Sequence, residues 1–149
     1  MKTRHYPIPV EKNFIVMLCL ALTMKSNLTP EQKNTLLRVL RDISRECSLG
    51  AIAVVSIEGR EIAFFAEKST DPVVMSALAS ALNAAGEQAV NQIKYGNLDQ
   101  VIIKGTEGFL LLQNVEQFIV LAASREIYSL ALAMNVLSRY KKMIYQALT

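Results

Sequence analysis

Histidine is nearly absent from this chain: there is one, His5, close to the start. Ser-His and Cys-His nucleophile systems and multi-histidine metal sites therefore lack their parts, which nearly excludes conventional hydrolysis. The two cysteines, Cys19 and Cys47, sit in apolar or helical surroundings without CxxC spacing. That argues against a disulfide scaffold or zinc ribbon and for a reducing, cytoplasmic setting. Tryptophan is absent, and Gly and Pro together number ten of 149 residues. With 52% hydrophobic and only 19% charged residues, the composition excludes disordered, collagen-like and low-complexity classes. What remains is a chain able to bury one sizeable core.

The net charge of +3 is carried by the leader alone, because residues 1–29 hold Lys2, Arg4, Lys12 and Lys25 against Glu11. A body that sums to zero does not resemble a nucleic-acid-binding domain, which needs a basic face for phosphates. The leader also holds the apolar run Phe14 to Leu22, far shorter than the ~20 residues of a membrane span. Glu11 and two prolines before the run, with no small-x-small cleavage site after it, argue against a signal peptide. Met, Leu, Cys and Ala in the run favour an extra packed helix over a strand; a docking segment for membrane or partner is the alternative. Met17 and Met24 are possible alternative starts. The division is thus a basic, apolar extension over residues 1–28 and a folded domain over 29–149.

Thr29-Pro30-Glu31-Gln32 reads as an N-cap, a proline at N1 and a reciprocal glutamine at N3, opening a helix closed by Gly50. Leu36, Leu40, Ile43 and Cys47 make its apolar stripe. Arg38, Arg41 and Arg45 lie outside with Asp42 and Glu46 among them, a solvated, salt-bridged face. Ala51 to Ile57 and Glu61 to Glu67 are β-branched or aromatic runs around Glu58-Gly59-Arg60, a hairpin. Thr70-Asp71-Pro72 caps a second helix running to about Lys94 and ended by Gly96. Leu98 to Lys104, Phe109 to Val115 and Phe118 to Ala123 are three more strands, turned at Gly105/Gly108 and at Asn114 to Gln117. Glu126 to Leu148 is a long helix with Arg139, Lys141 and Lys142 toward its C-terminal dipole.

The second helix carries two apolar seams. Val74, Leu78, Leu82 and Ile93 form a bulky one, expected to face the sheet. Ala77, Ala81 and Ala84, with Gln88 one step beyond, form a small-residue seam that would let another helix approach. Ser76, Asn83, Glu87 and Lys94 form a polar edge expected to stay wet. Gly86 in mid-helix costs about 1 kcal/mol against Ala and suggests tight backbone packing.

The order helix, two strands, helix, three strands, helix gives an α+β sandwich, a five-stranded mostly antiparallel sheet with helices on both faces. At GAIAVVSIEGREIAFFA, SALASALNAAGEQAV and VIIKGTEGFLLLQNV followed by FIVLAASRE, the chain resembles the Roadblock family over Pro30 to Leu148. The resemblance implies a profilin-like or longin-like sheet that dimerises through the second helix and the edge of the third strand. The interface would then hold Ala77, Ala81, Ala84, Gln88, Leu98, Val101 and Ile103. It also implies a regulator or scaffold of small Ras-like GTPases with no catalytic centre of its own.

The residues agree, since there is no Walker lysine loop and no metal spacing, so no catalytic, cofactor or metal residue is expected. Gly-Thr-Glu-Gly at 105–108 is a hairpin turn and not a phosphate cradle. Arg125 could be an arginine finger but reads better as a charged helix-start residue. The expected partners are a second copy of the chain and a small GTPase, which Ser76, Asn83 and Glu87 would contact. A structural adaptor gathering cargo or membrane through the extension is the alternative, and a ligand-sensing module a third possibility.

Overall fold

The computed structural model describes residues 28–66 and 71–149. The run Phe14 to Leu22, Cys19 and Thr70 lie outside them. The first helix, α1 (Pro30–Glu46), starts as its sequence dictates. Gln32 N donates to Thr29 Oγ1 at 3.2 Å and Thr29 N donates to Gln32 Oε1 at 2.9 Å, a complete reciprocal cap. The helix stops at Glu46, with buried Cys47 as its C-cap.

Strands β1 (Ala51–Ser56) and β2 (Glu61–Ala66) form the expected hairpin, and helix α2 (Pro72–Ile93) follows. Asp71 caps α2, its Oδ1 accepting from Val73 N at 2.9 Å. The helix ends with Lys94 itself in the left-handed region (φ 58°), two residues before the glycine expected to end it. Strands β3 (Gln100–Gly105), β4 (Gly108–Val115) and β5 (Phe118–Ser124) then run antiparallel. A 3-10 turn, Ile127–Ser129, leads into helix α3 (Leu130–Leu148). The last turn of α3 holds no basic residue. Arg139 and Lys141 lie further back and serve ion pairs instead of the helix dipole, Arg139 with Glu46 and Lys141 with Asp99.

The sheet is wholly antiparallel in the order β2-β1-β5-β4-β3, closed in the middle by the pairing of β1 with β5. Both faces are covered, so the central strands are buried almost without interruption. Ile52, Val54, Leu111, Val120 and Ala122 point into a core shared with α1 and α3. Ala53, Val55, Phe64, Leu112, Ile119 and Leu121 point the other way, beneath α2. Two helices thus cover one face and a single helix the other, an α+β sandwich of the expected order.

One buried polar group crosses the larger core. Gln113 is fully buried on the α1/α3 side of β4; it accepts from Gln100 Nε2 at 2.7 Å and donates to Asp99 Oδ1 at 2.9 Å. Gln100 Nε2 also reaches the Met134 carbonyl of α3 at 3.0 Å. Both ends of the buried Gln113 amide find partners, and the pair ties α3 to the β3 side of the sheet.

Candidate functional site

Helix α2 leaves much apolar surface uncovered. Its sheet-facing side consists of Met75, Ala79, Leu82 and Gly86, together with Ser76 and Asn83. The expected bulky seam is mostly turned outward: Val74, Leu78 and Ile93 are 51%, 48% and 55% exposed, and only Leu82 packs on the core. The reason is closeness. A Cβ on Gly86 would stand 3.1 Å from side-chain carbons of both Leu98 and Val101. At Gly86, therefore, α2 lies too near Leu98 and Val101 for a larger side chain, whereas Met75 and Leu82 find room further along the inner side.

The polar edge is corrected in the same way. Ser76 is 1% and Asn83 3% exposed, so neither is the wet contact residue expected of it. Ser76 Oγ donates to the Pro72 carbonyl of its own helix at 2.7 Å. Asn83 Nδ2 donates to Glu87 Oε1 at 3.4 Å, while Asn83 Oδ1 is without a partner among the described residues. Glu87 is exposed and also accepts from Asn114 Nδ2 at 3.3 Å, joining α2 to the end of β4.

Ala77, Ala81, Ala84 and Gln88 stand together on the outward side of α2, all exposed. Val73 and Ala85, not singled out from the sequence, extend that side. Between Pro72 and Ile93 the only charged residue is Glu87, so the outward side carries no charge. A solvent-facing helix surface ordinarily does, and an uncharged one more than 20 residues long marks a contact.

Next to it lies one of the two sheet edges. The edges differ: β2 is interrupted by an irregular register between Val54 and Val55 and opens with Glu61, both devices that discourage further pairing. β3 pairs regularly with β4 along its whole length and carries Ile102 and Ile103, 42% and 39% exposed. Leu98 and Val101 are half-buried beside Gly86 of the same chain, so of the three strand-side residues named from the sequence Ile103 is the exposed one. Among the described residues no three His, Cys, Asp or Glu side chains gather to hold a metal, and no helix is long and apolar enough to cross a membrane.

Comparison with solved structures finds this architecture elsewhere. MglB of Myxococcus xanthus superposes with a TM-score of 0.73 at 13% identity, covering 83% of this chain and 96% of that one. The gliding protein MglB of Thermus thermophilus gives 0.72 at 14% identity, over 85% and 96%. A Roadblock/LC7 domain from Streptomyces avermitilis gives 0.54 at 17% identity, over 69% and 94%. At these identities the likeness is one of fold. No curated protein sequence matches. The sequence profile of the Roadblock/LC7 domain matches residues 35–124, from within α1 to the end of β5, and the chain belongs to that family.

Proposed function

We propose that this protein is a homodimer that binds a small Ras-like GTPase and biases its nucleotide state without donating a catalytic residue. The observation that supports assembly is the uncharged outward side of α2 beside the open β3 edge. Antiparallel pairing of two β3 edges requires a two-fold axis perpendicular to the sheet. Such an axis brings the two α2 helices side by side on one face, where the Ala77, Ala81 and Ala84 seam permits close approach. It keeps both α1/α3 layers on the other face. One of the matching structures is described as MglB in a tetrameric arrangement, so assembly occurs on this fold.

The GTPase reading rests on family membership together with the chemistry of the chain. Hydrolysis of GTP depends chiefly on positioning and electrostatic stabilisation, which a shaped surface can improve by holding the GTPase's own groups in place. Pull-down of small GTPases from the same genome, loaded with GDP or a GTP analogue, tests it. Binding that depends on the nucleotide supports regulation; binding blind to it supports a scaffold. No binding in either state sinks both and leaves the cargo adaptor.

A further inference from the structure

The sequence sums to zero outside the leader, yet the fold sorts its charges. α1 carries Lys33, Arg38, Arg41 and Arg45 against Glu31, Asp42 and Glu46, and α3 carries Arg139, Lys141 and Lys142 with no acid at all. These two helices share one side of the sheet, giving that layer a net charge of +4. Residues 50–129, which supply the sheet, its turns and α2, hold five basic and nine acidic residues, a net −4. The helical layer is thus basic and the remainder acidic, with Asp99 of the remainder reaching Lys141 of the layer.

On the basic side, Arg38 is exposed on α1 and Lys142 on α3. Arg139 and Lys141 are taken up by Glu46 and Asp99. Leu132, Arg139 and Met143 follow one another at helical spacing on the flank of α3 from which Arg139 reaches α1. Leu132 and Met143 are 48% and 53% exposed there, so apolar side chains stand exposed on either side of Arg139 in the same layer.

We propose that the α1/α3 layer is a docking face for an anionic lipid bilayer. Cations near such a surface strengthen binding by about fivefold each, and exposed apolar side chains among them enter the headgroup boundary. A nucleic-acid backbone would answer the charges but offer Leu132 and Met143 nothing. The proposal stands on the single chain and gains from the dimer reading, since the two-fold pairing above sets both layers on one side and lets two faces bind together.

The test is co-sedimentation of the full chain with phosphatidylcholine vesicles with and without phosphatidylglycerol, at low and high salt. Wild type is expected to sediment only with the anionic vesicles and to be released by salt. Arg38→Gln with Lys142→Gln should weaken binding by about 25-fold per face, two cations at about fivefold each, and by more where both faces of a dimer bind together, with circular dichroism and light scattering unchanged. Neutralising Lys2, Arg4 and Lys12 in the leader should leave that ratio between the pair of variants in place. Equal binding by wild type and the double variant overturns the proposal, as does binding to duplex DNA with none to vesicles. If wild type proves monomeric yet keeps its dependence on Arg38 and Lys142, the dimer reading fails and the lipid face stands.

Discussion

At the scale of single residues, Asn83 shows how burial changes a role. Its amide donates to Glu87, so an aspartate there would set a carboxylate nine-tenths buried against a second carboxylate. Asn83→Asp is expected to lower stability by about 1–3 kcal/mol in urea titrations at neutral pH. The loss should shrink as pH falls and the new carboxyl takes up its proton, and Glu87→Gln should restore part of it. A substitution that left stability unchanged would make Asn83 the surface residue its sequence position suggested.

Glu46 gives a pH dependence of opposite kinds at its two ends. The Tyr140 hydroxyl donates to Glu46 Oε1 at 2.6 Å and Arg139 donates to Oε2, which together hold the carboxyl below its usual range. The same contact raises the Tyr140 hydroxyl above its ordinary value. A depressed carboxyl contributes stability above its unfolded value, about 4.3, and loses it as pH falls through the folded one. A raised phenol contributes below about 10 and loses it as pH rises through the folded value. The stability difference between wild type and Tyr140→Phe should therefore be a plateau at neutral pH that closes on both sides, and in the variant the Glu46 carboxyl should titrate closer to normal by NMR. Glu46 is solvent-exposed and Tyr140 only half-buried, so the plateau is expected to be low.

At the scale of elements, α2 is decided by one glycine and one alanine. Replacing a helix-interior glycine by alanine ordinarily gains about 1 kcal/mol. At Gly86 the added methyl meets Leu98 and Val101 at 3.1 Å, so Gly86→Ala should gain little, and Gly86→Val should cost about 1–3 kcal/mol as α2 is pushed off β3. Urea midpoints that rise for both would show that α2 has room to move. Ala81 faces outward, so Ala81→Glu should leave the fold intact and split the dimer by placing an unpaired charge at the contact. Light scattering decides: a wild type that is monomeric at micromolar concentration, or a variant that stays dimeric, removes α2 from the interface.

For the whole molecule, the sharpest test concerns Arg125, exposed just beyond β5. An arginine inserted into a GTPase contributes on the order of a thousandfold or more to turnover. If this chain acts by shape, Arg125→Ala should leave stimulated GTP hydrolysis within about twofold of wild type at equal complex formation. A thousandfold loss with the complex intact would make it a finger supplied in trans.

Much of the architecture could be read from local chemistry. The Thr29–Gln32 cap, the Glu58-Gly59-Arg60 turn and the alternation of strands depend on neighbours within a few residues, so sequence alone settled the element order and the antiparallel sheet. The orientation of α2 was not so determined, because a helix with apolar residues on most of its circumference has no single inward side until its distance from the sheet is fixed. Contacts between distant parts of the chain, such as Gly86 against Leu98 and Val101, fix it, and in the folded protein Val74 and Leu78 face outward while Ser76 and Asn83 face in. The burial of Gln113 has a related reason: the strand Phe109 to Val115 is legible in the sequence, but a glutamine in it is ordinarily solvent-facing, and only its partners Gln100 and Asp99 allow it inside. Charge followed the same division. The sequence by itself determined the neutral sum of the body, whereas packing α1 against α3 on one side of the sheet decided that this sum is +4 on one face and −4 over the rest, since electrostatic fields depend on where charges stand in space and not on their order along the chain.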